Sequence, residues 1–257
     1  MRVRLIEGIC VCFFALIAGV SANADDFKGF YVGANAGGAF GSANAQTTTV
    51  FSPTGYFATT SPGAIAIAGN QNLSPKGGTF GGQAGLNLQF HRLVAGFELD
   101  FGGMKLSQSQ STSGTYPCCA PTGFTVNQSV NTDWLFTLRP RVGFTAGHWL
   151  VYGTAGLAVT NLTYKAQFTD TFATANESGQ ANLTQTGWTA GGGVEYHLKS
   201  SHWSVKGEYL FANFGSVTTT STNLTAFTPP IAFPQNPFTH TTNLHANVAR
   251  AGFNYRF

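Results

Sequence analysis

Between Thr79 and Phe90 the chain alternates. Phe80, Ala84, Leu86, Leu88 and Phe90 fall on one face, and Thr79, Gln83, Asn87 and Gln89 on the other, with glycines between. A period of two belongs to a strand with unlike faces, and a helical period does not generate it. The same alternation runs over 30–37, 93–102, 133–145, 149–160, 187–197, 203–211 and 249–257. In 93–102, for example, Leu93, Ala95, Phe97, Leu99 and Phe101 oppose Val94, Gly96, Glu98, Asp100 and Gly102. Together these segments predict eight strands bounded by turn residues.

The connections alternate as well. Short ones fall at His91-Arg92, Gly147-His148 and Lys199 to His202. Long ones span 41–77, 103–131, 165–185 and 215–243 and are rich in Ser, Thr, Asn and Pro. Short turns at one end and long loops at the other predict an all-β fold: an antiparallel eight-stranded barrel with both chain ends on the short-turn side.

Alternation alone leaves open which face is inside, because a soluble ligand-binding barrel has the same period with apolar residues inward. Composition separates the two. Only 9% of residues are charged, against roughly 25% in a soluble domain whose exterior meets water. Aromatic residues gather in two bands. Phe30, Phe90, Phe144, Trp149, Tyr196, Trp203, Tyr255 and Phe257 lie by the short turns, and Phe80, Phe101, Trp134, Trp188 and Phe211 by the long loops. Aromatic rings favour a membrane–water interface. The run from Phe80 to Phe90 covers about 25 Å at the usual rise and tilt, the height of an apolar membrane band. The apolar face is therefore expected to meet lipid and the polar face to form the lumen. A net charge of +3 with no basic run gives no reason to expect nucleic acid.

The beginning of the chain fits export. Arg2 and Arg4 precede an apolar run from Ile9 to Val20, and Ala22-Asn23-Ala24 supplies small residues for cleavage. The run is too short to span a membrane. A signal peptide over 1–24 and a barrel domain over 25–257 are expected, with Cys10 and Cys12 leaving with the signal.

The polar face carries a charge set whose signs nearly cancel: Glu98, Asp100, Arg139, Arg141, Glu195, Lys206, Glu208 and Arg250. Counting from the short-turn end pairs Glu98 with Arg141 and Asp100 with Arg139. Buried charges must be paired and hydrogen-bonded. An eight-stranded barrel is just wide enough for side chains to fill, so a packed polar plug is favoured over an ion filter. Cys118 and Cys119 are adjacent in the second long loop, a possible loop disulfide or a link to another chain.

Four segments resemble a known family: Gly29 to Asn35, Trp188 to Tyr196, Lys206 to Leu210, and the end Arg250-Ala251-Gly252-Phe253-Asn254-Tyr255-Arg256-Phe257. They are similar to the small alphaproteobacterial outer-membrane β-barrels called porin-family or outer-membrane immunogenic proteins, related to the opacity-like barrels. The likeness covers the strands and not the loops. It implies an eight-stranded outer-membrane barrel, abundant at the surface, with a role in envelope integrity or host contact. Expected partners are outer-membrane lipid and lipopolysaccharide. Tyr255 and Phe257 are the expected assembly signal for the barrel-assembly machinery. The long loops depart from the family pattern, so loop-borne binding is not carried over from it, and host or phage surfaces are possible loop contacts only. A narrow porin and a loop-borne adhesin or receptor are the alternatives.

No cofactor is expected. His91, His148, His197, His202, His240 and His245 are scattered without metal-site spacing. His202-Trp203-Ser204 has the spacing of a hydrolase pair. It sits by a short turn with Ser204 facing the lumen, so polar turn residues are the favoured reading and no enzyme is expected. The long loops, with Ser/Thr runs at 47–49 and 218–222, read equally as binders of host surfaces, haem or phage and as mobile hydrophilic segments that shield the barrel.

Overall fold

The computed structural model describes residues 27–199 and 201–257. The expected signal peptide over 1–24 lies outside the described residues. The strands are β1 (Gly29–Thr49), β2 (Gln71–Leu73), β3 (Lys76–Phe90), β4 (Leu93–Met104), β5 (Ser107–Thr115), β6 (Gly123–Asn131), β7 (Trp134–Ala146), β8 (Trp149–Asp170), β9 (Asn176–His197), β10 (Trp203–Ser221), β11 (Thr225–Ala226), β12 (Ile231–Ala232) and β13 (Phe238–Arg256). One helix, α1 (Ser61–Ala68), lies between β1 and β2. Among the described residues all thirteen strands belong to one sheet, and every strand pair is antiparallel.

Hydrogen bonding runs β1–β3–β4–β7–β8–β9–β10–β13 and returns from β13 to β1. Each segment of alternation in the sequence falls in one of these strands. The tight turns at His91-Arg92 and Gly147-His148 need left-handed backbone, and His91 (φ 56°) and Gly147 (φ 59°) supply it.

The predicted loops are largely strand, which corrects the sequence reading. β8 and β9 each run 22 residues and stay paired up to Thr169 and Asn176. β1 and β13 stay paired up to Thr49 and Phe238. The stretch 103–131 forms the β5–β6 hairpin, and β6 continues the wall against β8. β2, β11 and β12 also lie in stretches read as loop. The structure thus has a turn end, at the short connections, and a distal end, at the long ones.

The reason is that the alternation inverts along each long strand. On β8, Trp149, Val151 and Leu157 face outward while Tyr152 and Thr154 face in. Beyond Val159 the period of two continues with opposite chemistry: Leu162, Tyr164 and Phe168 are buried, and Asn161, Thr163, Lys165 and Gln167 face out. β13 inverts at the same level, with Arg250 and Asn254 inside on the turn side and Val248, Ala246 and Leu244 inside on the distal side. On β10 the pattern is also shifted by a bulge between Asn213 and Ser216, where Gly215 takes φ +71°. A search for apolar residues at one parity loses the strand at the inversion.

The interior is layered. Phe27, Val94, Leu150 and Tyr152 close the turn end. A charged layer follows, then an apolar layer that includes Leu106, Val130, Leu162, Leu210, Phe214, Leu244 and Val248. A distal cap of Phe57, Ile65, Tyr116, Phe124, Phe168 and Phe238 completes the stack. Eight residues make a marginal helix alone. α1 is held because Ile65 enters the cap and Gln128 donates to the Gly69 carbonyl at 2.6 Å. Gln71, just beyond the helix, donates to the Val126 carbonyl at 2.9 Å.

The inversion predicts position-dependent costs for a new charge. Leu86→Lys, outward within the apolar band, should lose about 2–4 kcal/mol in reversible urea unfolding from lipid vesicles. Thr163→Lys, outward beyond the inversion, should change stability by less than about 1 kcal/mol. Equal costs at the two positions would contradict the inversion.

Candidate functional site

All eight charges singled out in the sequence are buried and meet in one cluster on the turn-side half of the lumen. β4 contributes Glu98 and Asp100, β7 Arg139 and Arg141, β9 Glu195, β10 Lys206 and Glu208, and β13 Arg250. Each lies at an inward parity, so a strand brings in its charges two residues apart on one face.

Arg139 is the hub. Its guanidinium reaches Glu98 at 2.8 Å, Asp100 at 2.9 Å and Glu208 at 3.1 Å. Arg141 bridges Glu98 at 3.4 Å and Glu195 at 3.2 Å. Lys206 donates to Glu98 at 2.8 Å. Arg250 pairs with Glu208 at 2.7 Å and with Asp100. Both expected pairs, Glu98 with Arg141 and Asp100 with Arg139, are made. The register differs from the expected one, since Glu98 stands opposite Arg139. β7 runs further toward its turn than β4 does, the stagger that barrel closure demands, and long arginine side chains span the difference.

Sequence reasoning missed three members. Arg256 joins Glu195 at 3.2 Å. Tyr31 donates to Glu98 at 2.8 Å, and Tyr152 to Glu208 at 2.9 Å. The Arg141 guanidinium lies 4.7 Å from the Tyr31 ring centre and 5.1 Å from that of Tyr152, so it is held by π faces as well as carboxylates. Gly193 leaves room for this, because a Cβ there would stand 2.7 Å from the Tyr152 hydroxyl. Tyr31 and Arg256 were legible as inward by parity; their partners were not. Neutral side chains complete the layer. Arg141 donates to Asn87 at 2.9 Å, Ser204 to Glu195 at 2.6 Å, Asn254 to Glu195 at 3.0 Å and Gln83 to Asn254 at 2.6 Å.

This arrangement has little room for chemistry. Carboxylate oxygens of Glu98, Asp100 and Glu208 lie within 4.8 Å of one another, a spacing that suits a cation. Arg139 already donates to all three, and Lys206 and Arg250 add further charge. Ser204 is bonded to Glu195, whereas the His202 ring stacks on Tyr255 at 5.6 Å. The structure does not join that pair into a nucleophile and base.

A second polar group lies in the distal half. His240 places Nε2 3.1 Å from Glu177 and Nδ1 2.9 Å from the Thr47 hydroxyl. Ser221 also donates to Glu177. The order hydroxyl, imidazole, carboxylate is that of an activated nucleophile, but all three groups are buried below the aromatic cap. Glu177 and His240 fell in stretches read as loop, so only the inverted parity could have marked them as inward.

At the tip, the Cys118 and Cys119 sulfurs are bonded to each other. Asp170 accepts from Tyr56, from Tyr116 at 3.0 Å, and from the Ala175 amide at 2.8 Å. Burial and then the Asp170 charge push the Tyr116 phenol above its ordinary pKa. These contacts tie the tip segments to one another.

Removing the hub should be costly. Arg139→Ala leaves three buried carboxylates short of a cation, and a loss of about 3–5 kcal/mol is expected in urea unfolding. Lys105→Ala, which breaks an exposed 3.1 Å pair with Asp133, should lose less than about 1 kcal/mol. An Arg139→Ala barrel as stable as the parent would refute the hub.

No curated protein matches the chain. Solved structures similar to it include the outer membrane protease OmpT from Escherichia coli, at 9% identity and TM-score 0.40, with 94% of this chain and 100% of that one covered. Neisserial surface protein A aligns at 14% identity and TM-score 0.34, covering 91% of this chain and 99% of that one. The N-terminal β-barrel domain of Pseudomonas aeruginosa OprF aligns at 13% identity and TM-score 0.33, covering 84% and 97%. The family model for the outer membrane protein beta-barrel domain matches residues 9–257, and the chain belongs to that family.

Proposed function

We propose that this chain is a closed, filled outer-membrane barrel of eight transmembrane strands, serving envelope integrity and surface contact rather than conduction. The observation that carries the reading is the stacked interior: a turn-end cluster, a charge-paired layer, an apolar layer and an aromatic cap in succession. A conducting lumen needs a continuous polar path, and the apolar layer interrupts it. The reading includes export by the signal over 1–24, kinship with the small alphaproteobacterial opacity-like barrels, and lipid and lipopolysaccharide as surroundings. Delivery by the barrel-assembly machinery through the last strand belongs to it as well. There Phe257 faces outward and stacks on Phe30 at 5.7 Å.

A contact role at the tip has its own support. Phe172, Phe227 and Ile231 are exposed at the distal end. Phe172 and Phe227 both lie against the Tyr56 ring, and Ile231 pairs with Ala226 beside Phe227. Neighbouring exposed apolar side chains mark an interaction surface. This favours the adhesin or receptor alternative over the narrow porin.

Two measurements test the reading. In planar bilayers the purified protein should give no steady single-channel openings; regular openings would make it a porin. Phe257→Ala should lower the amount of heat-modifiable barrel in outer membranes severalfold while the total amount exported stays unchanged. Full assembly of that variant would remove the terminal signal from the proposal.

A further inference from the structure

The outward wall of the distal half carries a groove of about 300 Å³ across β5, β6, β8 and β9, with Ser109 at its β5 edge. Strand register builds its floor from two aligned rows. One is Ser129, Lys165 and Gln180; the next is Asn127, Gln167 and Ser178. Neighbouring strands stand about 4.8 Å apart, and rows two residues apart are separated by about 6.7 Å. The result is a lattice of amides and hydroxyls at a spacing on the order of a sugar ring.

The side chains of this lattice are available. Asn127, Ser129, Lys165 and Gln180 make no side-chain hydrogen bond to another described residue, and Lys165 has no ion-pair partner among them. Exposed Lys105, by contrast, is paired with Asp133. Gln167 donates to Asn176 over a long 3.3 Å, and Ser178 accepts from Asn223 at 3.5 Å. An amide offers both donors and an acceptor, which is what a hydroxyl-rich ligand requires. No aromatic side chain lines the groove, so it lacks the anchor pocket of a protein interface.

We infer that this groove binds an acidic saccharide. Asn127, Gln167 and Gln180 hold the ring hydroxyls, and Lys165 takes the carboxylate, phosphate or sulfate. The inference rests on the outer-membrane placement proposed above, which sets Lys165 roughly 15 Å beyond the apolar band. The saccharide is either the headgroup of a glycolipid in the same leaflet or a glycan on another surface.

The test uses the full mature chain folded in detergent and three probes. These are the phosphorylated core oligosaccharide of lipopolysaccharide freed of its lipid, a sulfated glycosaminoglycan fragment, and neutral dextran. Calorimetric titration should give at least one acidic probe an affinity about tenfold above dextran. Lys165→Ala should erase that preference, and Gln167→Ala/Gln180→Ala should weaken binding about tenfold. Both variants should keep the heat-modifiable mobility of the parent. Tighter binding of the core oligosaccharide assigns the groove to the same leaflet, and tighter binding of the glycosaminoglycan to another surface. A parent chain that folds normally yet binds no acidic probe above dextran sinks the groove alone and leaves the barrel standing. Unchanged binding by folded variants sinks it equally. A parent chain without heat-modifiable mobility would instead count against the barrel reading.

Discussion

A single constraint organises this molecule: a strand ladder that cannot break while the solvent outside it changes. Backbone groups in the apolar band have no water to bond, so the strands must pair all the way round. The same ladder then continues past the band, β8 and β9 holding register from Trp149 to Thr169. Because side chains alternate strictly, a residue cannot change face when its surroundings change. The chemistry at each face changes instead. Outward positions go from Phe97 and Leu157 to Thr163 and Gln167, and inward positions from Glu208 and Arg250 to Leu210 and Val248. The β10 bulge at Gly215 is the exception, where an added residue does shift the parity.

The charged layer follows from that constraint. In the band, apolar side chains are needed on the lipid face, and the narrow lumen is filled from the other parity. Arg139, Arg141, Lys206, Arg250 and Arg256 face Glu98, Asp100, Glu195 and Glu208. Ion pairs of this kind stabilise little relative to well-packed apolar residues, yet breaking one is costly. Their effect is therefore on uniqueness. Contacts drawn from β4, β7, β9, β10 and β13 all converge on the same few carboxylates, and a slip of one strand by one residue would point its charges into lipid. Among the described residues the distal half has no comparable charged layer; around the buried Glu177–His240 group its interior is mainly apolar.

How much was legible follows from the same physics. The eight segments of alternation, the short turns at His91 and Gly147, and the lumen charges were readable because each depends on local parity. The pairs Glu98–Arg141 and Asp100–Arg139 were readable although their register was not, since stagger between strands is a property of the closed wall. The distal extension was not readable as strand. Its outward Ser, Thr and Asn resemble loop composition, and its inward Leu162, Tyr164 and Phe168 sit at the parity that carried polar residues lower down. Glu177 and His240 were lost with it.

A wall filled from end to end places its chemistry on the outside. The Thr47–His240–Glu177 chain has the atoms of a reactive group but lies under Phe57, Phe168 and Phe238. One oxygen of Glu177 has no hydrogen-bond partner among the described residues, the cost of seating a carboxylate in a mainly apolar half. The three bonds Thr47–His240, His240–Glu177 and Ser221–Glu177 tie β1, β9, β10 and β13 together at a level above the charged layer. Two polar clusters thus pin one ladder at two heights, the lower against lipid and the upper against water. What remains free to meet another molecule is the outward surface of the distal half, whose polar positions owe nothing to packing and are held in rows by strands fixed from within.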